Sequence, residues 1–270
     1  MPTFTGKTFA SFYKNILSIN RTGNTGVATD YAREIEDGDG KKTPMYMSEN
    51  QFWIRPQSED LVGTFIVMNN ASNNLFQVDT STSEVKAHGV AVNTQYAHFG
   101  ASYDSGLLNA ADDTHYAIPF NFNYFDTLQA MGTATTSSFN DTEPATSLTI
   151  ATTAMVAIKS YWYVMDDITI DRVVWWQGAD AAAGSSTAAY LMGYSVNTGT
   201  GATGGDLSGG VKLASSSTVT NAGYEQAYYN QMTIHSADVD AGKVILFTFC
   251  FDDTEATDYS INATVKFHLR

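Results

Sequence analysis

Several stretches of this sequence carry residue types and spacings that could do chemistry. "GTGATG" (Gly199–Gly204) has the glycine spacing of a dinucleotide-binding turn. That turn needs a strand before it and a helix opening on it, so that the pyrophosphate meets helix N-terminal amides. A strand-like segment precedes it, but "GDLSGGVKLASSS" follows and cannot open an amphipathic helix. A glycine-rich surface loop is therefore expected. "EDGDGKK" (Glu36–Lys42) resembles part of a calcium loop but lacks a third spaced oxygen ligand and the bidentate Glu. "DDTEATD" (Asp252–Asp258) also gathers carboxylates. Solvated turns are expected at both, with no metal and no cofactor.

Catalytic constellations are equally sparse. His88, His98, His115, His235 and His268 form no paired metal-ligand motif and read as surface or strand-face residues. There is no GxSxG elbow. The single cysteine, Cys250, lies in "VILFTFCF", where a small buried hydrophobe is expected. The doublets Asp112–Asp113 and Asp166–Asp167 cannot converge on one substrate if they lie on strands, because adjacent strand residues point to opposite faces. A glycan-cleaving pair assembled from distant carboxylates would be invisible to spacing, so a depolymerase stays as an alternative. The aromatic group Tyr161, Trp162, Trp175 and Trp176 is the remaining candidate. On a strand, one of Trp175 and Trp176 faces the core and the other faces out, toward a subunit, a loop or a ligand such as a sugar.

Composition narrows the class. The 270 residues are enough for one large β domain or two modest ones. Only 16% are charged, against a typical ~25%. Thr, Ser, Asn, Gly and aromatic residues take up the difference, a palette suited to strands and tight turns. The net charge of −14 argues against nucleic acid and against an anionic membrane surface. No apolar run is long enough to span a bilayer, and the start reads as no signal peptide.

The elements expected to position these residues run as follows. Phe9, Phe12, Tyr13, Ile16 and Leu17 share one face of a short helix in "FASFYKNILSI". A strand, a turn at Asp37–Lys42 and extended chain follow, closing a first region at residue 60. Residues 61–100 hold a β-ribbon with strands near Thr64–Met68, Leu75–Asp79 and Glu84–Ala87. Residues 101–146 read as a connecting loop region. Residues 147–270 read as a C-terminal antiparallel β-sandwich, jelly-roll-like. Its strands include "DDITIDRVVWWQG" with a bulge near Asp171–Arg172, "STAAYLMGYSV", "KVILFTFCF" covered on both faces, and the alternating "YSINATVKFHL". The fold class is mainly β.

The ribbon "FIVMNNASNNLFQVDTSTSEVKAHG" resembles the short repeat of bacteriophage fibre proteins, through Leu75, Phe76, Val78, Asp79, Thr80 and Val85. "THYAIPF" (Thr114–Phe120) and the N-terminal "SFYKNILSINRTGNTG" are similar to segments of virion proteins of marine tailed phages. The resemblance covers roughly the first 120 residues and part of the C-terminal region. It implies a homotrimer, because such repeats pack three chains around an axis, with Phe65, Val67, Leu75, Phe76, Val78 and Val85 as the stem. Here the unit occurs once, whereas long fibres repeat it.

Together these readings predict a non-enzymatic structural protein on a tailed-phage virion surface, made in the host cytoplasm. It would be a capsid decoration or head fibre, docking on capsid or tail proteins through Phe9, Phe12, Tyr13, Ile16 and Leu17. A tail fibre recognising a host surface glycan is the first alternative, with Trp162, Trp175 and Trp176 as candidate subunit or ligand contacts. The ribbon's reach, at most about 130 Å fully extended, favours the shorter ornament.

Overall fold

The computed structural model describes residues 17–19, 27–103, 114–121, 129–133, 144–149, 155–179, 184, 186–222, 226–251 and 259–270. The chain divides into two compact units, Met1–Val92 and Asn93–Arg270. The expected N-terminal helix, and with it Phe9, Phe12, Tyr13 and Ile16, lies outside the described residues apart from its last three. Of those three, Leu17 is exposed and Ser18–Ile19 is a strand rather than a helical turn. β-branched Ile19 next to an Asn-rich break suits an edge strand better than a helix end.

The first unit holds two four-stranded antiparallel meanders. One is β1 (Ser18–Ile19), β2 (Arg33–Glu36), β3 (Lys42–Met47) and β4 (Phe52–Ile54). The Asp37 side chain closes its β2–β3 turn by accepting from the N–H groups of Asp39 and Lys41, both at 2.9 Å. This is the solvated turn expected of "EDGDGKK". Pro44 brings no N–H to β3, and the Thr43 hydroxyl instead donates to the Ile35 carbonyl at 2.7 Å. The second meander is the ribbon: β5 (Phe65–Met68), β6 (Asn74–Asp79), β7 (Glu84–Ala87) and β8 (Val90–Ala91). Three of these strands fall within a residue of where alternation and turn residues put them.

The second unit is a two-sheet sandwich. Its strands are β9 (Thr94–Tyr103), β10 (Thr114–Ile118), β11 (Gln129–Thr133), β12 (Trp162–Tyr163), β13 (Ile168–Ala179), β14 (Ser186–Val196), β15 (Leu207–Ser215), β16 (Val219–Thr220), β17 (Gln226–Gln231), β18 (Thr233–Ile234), β19 (Asp238–Val239), β20 (Lys243–Phe251) and β21 (Tyr259–Leu269). One sheet runs β17-β13-β21-β9 and the other contains β10-β20-β14-β15. Numbered in chain order, these eight strands give 6-3-8-1 facing 2-7-4-5. That is the double Greek key of a jelly roll. The jelly-roll expectation therefore holds at the level of strand order.

Two strands lie within the segment that reads as loop. β10 pairs β20, and its residues His115–Ile118 are buried. A strand covered on both faces has no period-two signal, which is why it escapes the sequence. Thr94–Tyr103, read as part of the ribbon segment, is an edge strand of the sandwich in register with β21.

Alternation explains the core. Along β21, Tyr259, Ile261, Ala263, Val265 and Phe267 are buried against β13 and β20, while Ser260 and Asn262 face solvent. β20 feeds both layers: Ile245, Phe247, Phe249 and Phe251 enter the inter-sheet core, and Val244, Leu246 and Cys250 enter a second cluster with Tyr190, Met192 and Tyr194. The predicted bulge is present, since the β13–β21 register shifts between Ile170 and Arg172.

The "GTGATG" loop connects β14 to β15, a strand and not a helix, which removes the nucleotide reading. Gly210, just inside β15, is required by close packing. A Cβ there would stand 2.6 Å from Tyr194 Cε1 and 2.8 Å from the Thr146 Cα. Gly210→Ala is expected to cost about 1–3 kcal/mol and lower the Tm by about 2–12 °C. Gly178→Ala, whose Cβ would meet Ser260 Cβ at an ordinary 3.6 Å, should change Tm little. Thermal melts of both variants check the contrast.

Candidate functional site

The ribbon sheet is built by its turns. Asn69 Oδ1 accepts from the N–H groups of Ala71 and Asn73, both at 3.0 Å, and Ser72 adopts a positive φ of 62°. His88 (φ 50°) and Gly89 (φ 79°) close the last hairpin. Two successive positive φ values match the turn that two-residue hairpins prefer. These turns fix the register: Phe65 opposite Val78, Val67 opposite Phe76, Phe76 opposite Ala87, and Val78 opposite Val85.

Register then decides which side chains share a face. Phe65, Val67, Phe76, Val78 and Val85, five of the six predicted stem residues, lie on one face. The Phe65 and Phe76 rings meet edge-on with centroids 6.3 Å apart. Val90, opposite Ala87, extends the same face, a residue the repeat pattern does not flag. Leu75 falls where the β5–β6 register shifts, between the Val67–Phe76 and Met68–Asn74 pairs, so strand parity assigns it to neither face. Four residues of this apolar face stay exposed, while Val78 and Val85 are half-buried. Phe65 is 39% exposed, Val67 42%, Phe76 37% and Val90 45%.

The opposite end of the ribbon is polar and tightly bonded. Asp79 is buried, and its Oδ1 accepts from the Ser81 hydroxyl at 2.6 Å and from the N–H groups of Ser81 and Thr82. Lys86 bridges Glu84 and Asp79. The Ser81 hydroxyl, aided by Thr82 N–H and Lys86, holds the Asp79 carboxyl below its ordinary 3.8. A carboxyl lowered on folding stabilises fully above pH 3.8, and that contribution is lost as pH falls through the lower folded value. Asp79→Asn should therefore weaken the ribbon at neutral pH and flatten its acid dependence. Amide exchange of β6 and β7, followed from about pH 5 to about pH 2, checks this; identical profiles for both proteins would refute it.

The remaining candidates separate clearly. Trp175 is fully buried against Phe247 and Phe249, at centroid distances of 6.4 and 6.0 Å. Trp162 is stacked on Phe120 and tilted against Phe267. Both are core residues, which corrects their assignment as contact candidates. They lie on strands where the inward position is already apolar. Trp176 alone is exposed, at 49%, on the outer face of the β17-β13-β21-β9 sheet. Its ring lies 5.2 Å from that of Tyr229 on β17, a neighbour that only strand pairing reveals.

Asp167 Oδ1 accepts from Ala241 N–H at 2.8 Å, and Asp112, Asp113 and Asp252–Asp258 lie outside the described residues. Tyr161, whose hydroxyl donates to the Gly205 carbonyl, is pushed up to about 12 by burial, so it stays neutral. His98 pairs with Thr264 and His235 with Ser215 on exposed strand faces, whereas His115 is buried against Tyr190 and His268 is largely buried beside Asp171. These last two lie on strands, within the surface or strand-face expectation, but on covered faces of β10 and the end of β21. No group of three metal-type ligands converges among the described residues. No described helix is long and apolar enough to cross a membrane.

No protein-family model and no curated protein matches the chain. Among solved structures, it is similar to Eiger TNF from S. frugiperda, with 9% identity, 66% of this chain and 93% of that chain covered, and a TM-score of 0.28. It is also similar to Desmodium yellow mottle tymovirus, with 9% identity, 65% and 87% covered, and a TM-score of 0.20. Likeness at this level implies neither common ancestry nor common function.

Proposed function

We propose that this chain is a non-enzymatic structural protein of a tailed-phage virion surface, a capsid decoration or short head fibre that assembles as a homotrimer through its ribbon. One observation carries the self-association: Phe65, Val67, Phe76 and Val90, each 37–45% exposed, share an apolar sheet face with the half-buried Val78 and Val85. An isolated thin sheet does not offset its own ordering entropy, so a face like this calls for a partner. Second and third copies supply it when the three uncharged faces meet around a common axis. The count of three and the virion setting rest on the ribbon's resemblance to phage-fibre repeats. Docking on capsid proteins is assigned to Phe9, Phe12, Tyr13, Ile16 and Leu17.

Gold-labelled antibody against the sandwich tests the setting on intact particles. Label distributed over heads is expected. Label confined to tails would transfer the protein to the receptor-binding alternative, and no label on particles would overturn the virion reading.

A further inference from the structure

The outer face of the β17-β13-β21-β9 sheet carries a second feature, independent of the ribbon. The rows of this face follow from register: Tyr229, Trp176 and Asn262 lie side by side, with Gln231, Val174 and Thr264 in the next row. Trp176 and Tyr229 are each about half exposed and tilted at 58° to one another. Arg172, displaced by the bulge, donates from Nη2 to the Tyr229 hydroxyl at 3.0 Å and to Gln231 Oε1 at 2.7 Å. Both acceptors are neutral. The neighbouring carboxylate, Asp171, is engaged by His268 at 2.9 Å and Lys266 at 3.9 Å. Among the described residues Arg172 therefore meets no carboxylate, and its bonds run from Nη2 alone.

We propose that this surface binds an acidic saccharide. The exposed faces of Trp176 and Tyr229 stack on the C–H face of a sugar ring, while Arg172 receives the sugar's carboxylate. Both parts are preorganised. Tyr229 and Gln231 take both Nη2 protons and fix the guanidinium, which leaves Nη1 to donate a charge-assisted hydrogen bond to a carboxylate. Asn262 and Gln231 stand ready for hydroxyls.

Two other occupants fit less well. Two half-exposed rings offer on the order of 200 Å² of apolar area, against about 800 Å² per side for a stable protein interface. Single-stranded nucleic acid also stacks on aromatic residues, but it brings a phosphate per nucleotide to a chain of net charge −14. A single sugar carboxylate at Arg172 is a short-range contact, and at about 0.15 M salt the rest of the charge is screened beyond about 8 Å.

The test is calorimetric titration of the full chain at that salt concentration. The acidic probes are hexagalacturonate, hexamannuronate and sialyllactose; hexagalactose is the neutral control and a dT dodecamer the nucleic-acid control. At least one acidic probe should bind roughly tenfold more tightly than the neutral control. Trp176→Ala should weaken it roughly tenfold or more, and Arg172→Gln should erase the preference for acid while keeping the neutral affinity. Both residues are exposed, so an unchanged melting curve will show that each variant is folded. No binding by any acidic probe, equal affinity for acidic and neutral sugars, an unaltered Trp176→Ala protein, or tighter binding of the dodecamer would each overturn the proposal. None of these outcomes bears on ribbon trimerisation.

Discussion

Phe76→Asp is expected to break the proposed homotrimer into single chains. Phe76 sits at the centre of the ribbon's apolar face, between Val67 and Ala87, with the Phe65 ring against it. The arithmetic of association explains the size of the effect. Burying the still-exposed part of a half-exposed Phe or Val is worth roughly 1 kcal/mol. Phe65, Val67, Phe76 and Val90 in three copies thus supply on the order of 10 kcal/mol. Joining three chains takes two association steps at about 4–15 kcal/mol each, so the assembly has no margin for losing these contacts. An aspartate at this position removes one contribution per chain and adds a charge that must be desolvated beside two like charges. Complete dissociation at micromolar concentration is the expected outcome in sedimentation. The sandwich melting transition should be unaffected, because Phe76 belongs to the first unit. Gln77→Asp, on the opposite face, should leave the assembly intact, and this pair of results separates the face from the segment.

The largest effect on stability is expected at Trp175. Its side chain is fully buried between the two sheets, packed on Phe247 and Phe249. Trp→Ala at such a site costs about 3–5 kcal/mol, a large share of a typical domain's 5–15 kcal/mol. Trp175→Ala should therefore lower the sandwich transition by at least about 6 °C. Trp176→Ala, one residue along and facing solvent, should move it by less than about 2 °C. Calorimetry of both variants checks the inward and outward assignment; equal shifts would contradict it.

The sandwich was legible wherever one face of a strand is wet. β21 alternates cleanly, and the Asp171–Arg172 bulge shows as a break in alternation. β20 declares itself by an unbroken apolar run. β10 and β15 do not: the first is buried on both faces among His115 and Pro119, and the second opens on Gly209–Gly210, which reads as loop until Tyr194 and Thr146 are seen pressing on it. The ribbon was legible almost to the residue because its turns are chemically explicit. The register shift at Leu75 was not, because a repeat motif groups neighbours in sequence and carries no pairing. The Trp176 platform was half visible. Nothing in the sequence joins Trp176 to Tyr229 and Arg172, since that adjacency comes from the pairing of β13 with β17.

The central claim is that the ribbon's apolar face is buried against two further copies of itself. The most direct test is the mass of the wild-type protein at equilibrium in solution, by sedimentation or light scattering across the micromolar range. Three times the chain mass of 29.3 kDa is the predicted result. A single-chain mass of 29.3 kDa throughout that range would contradict it.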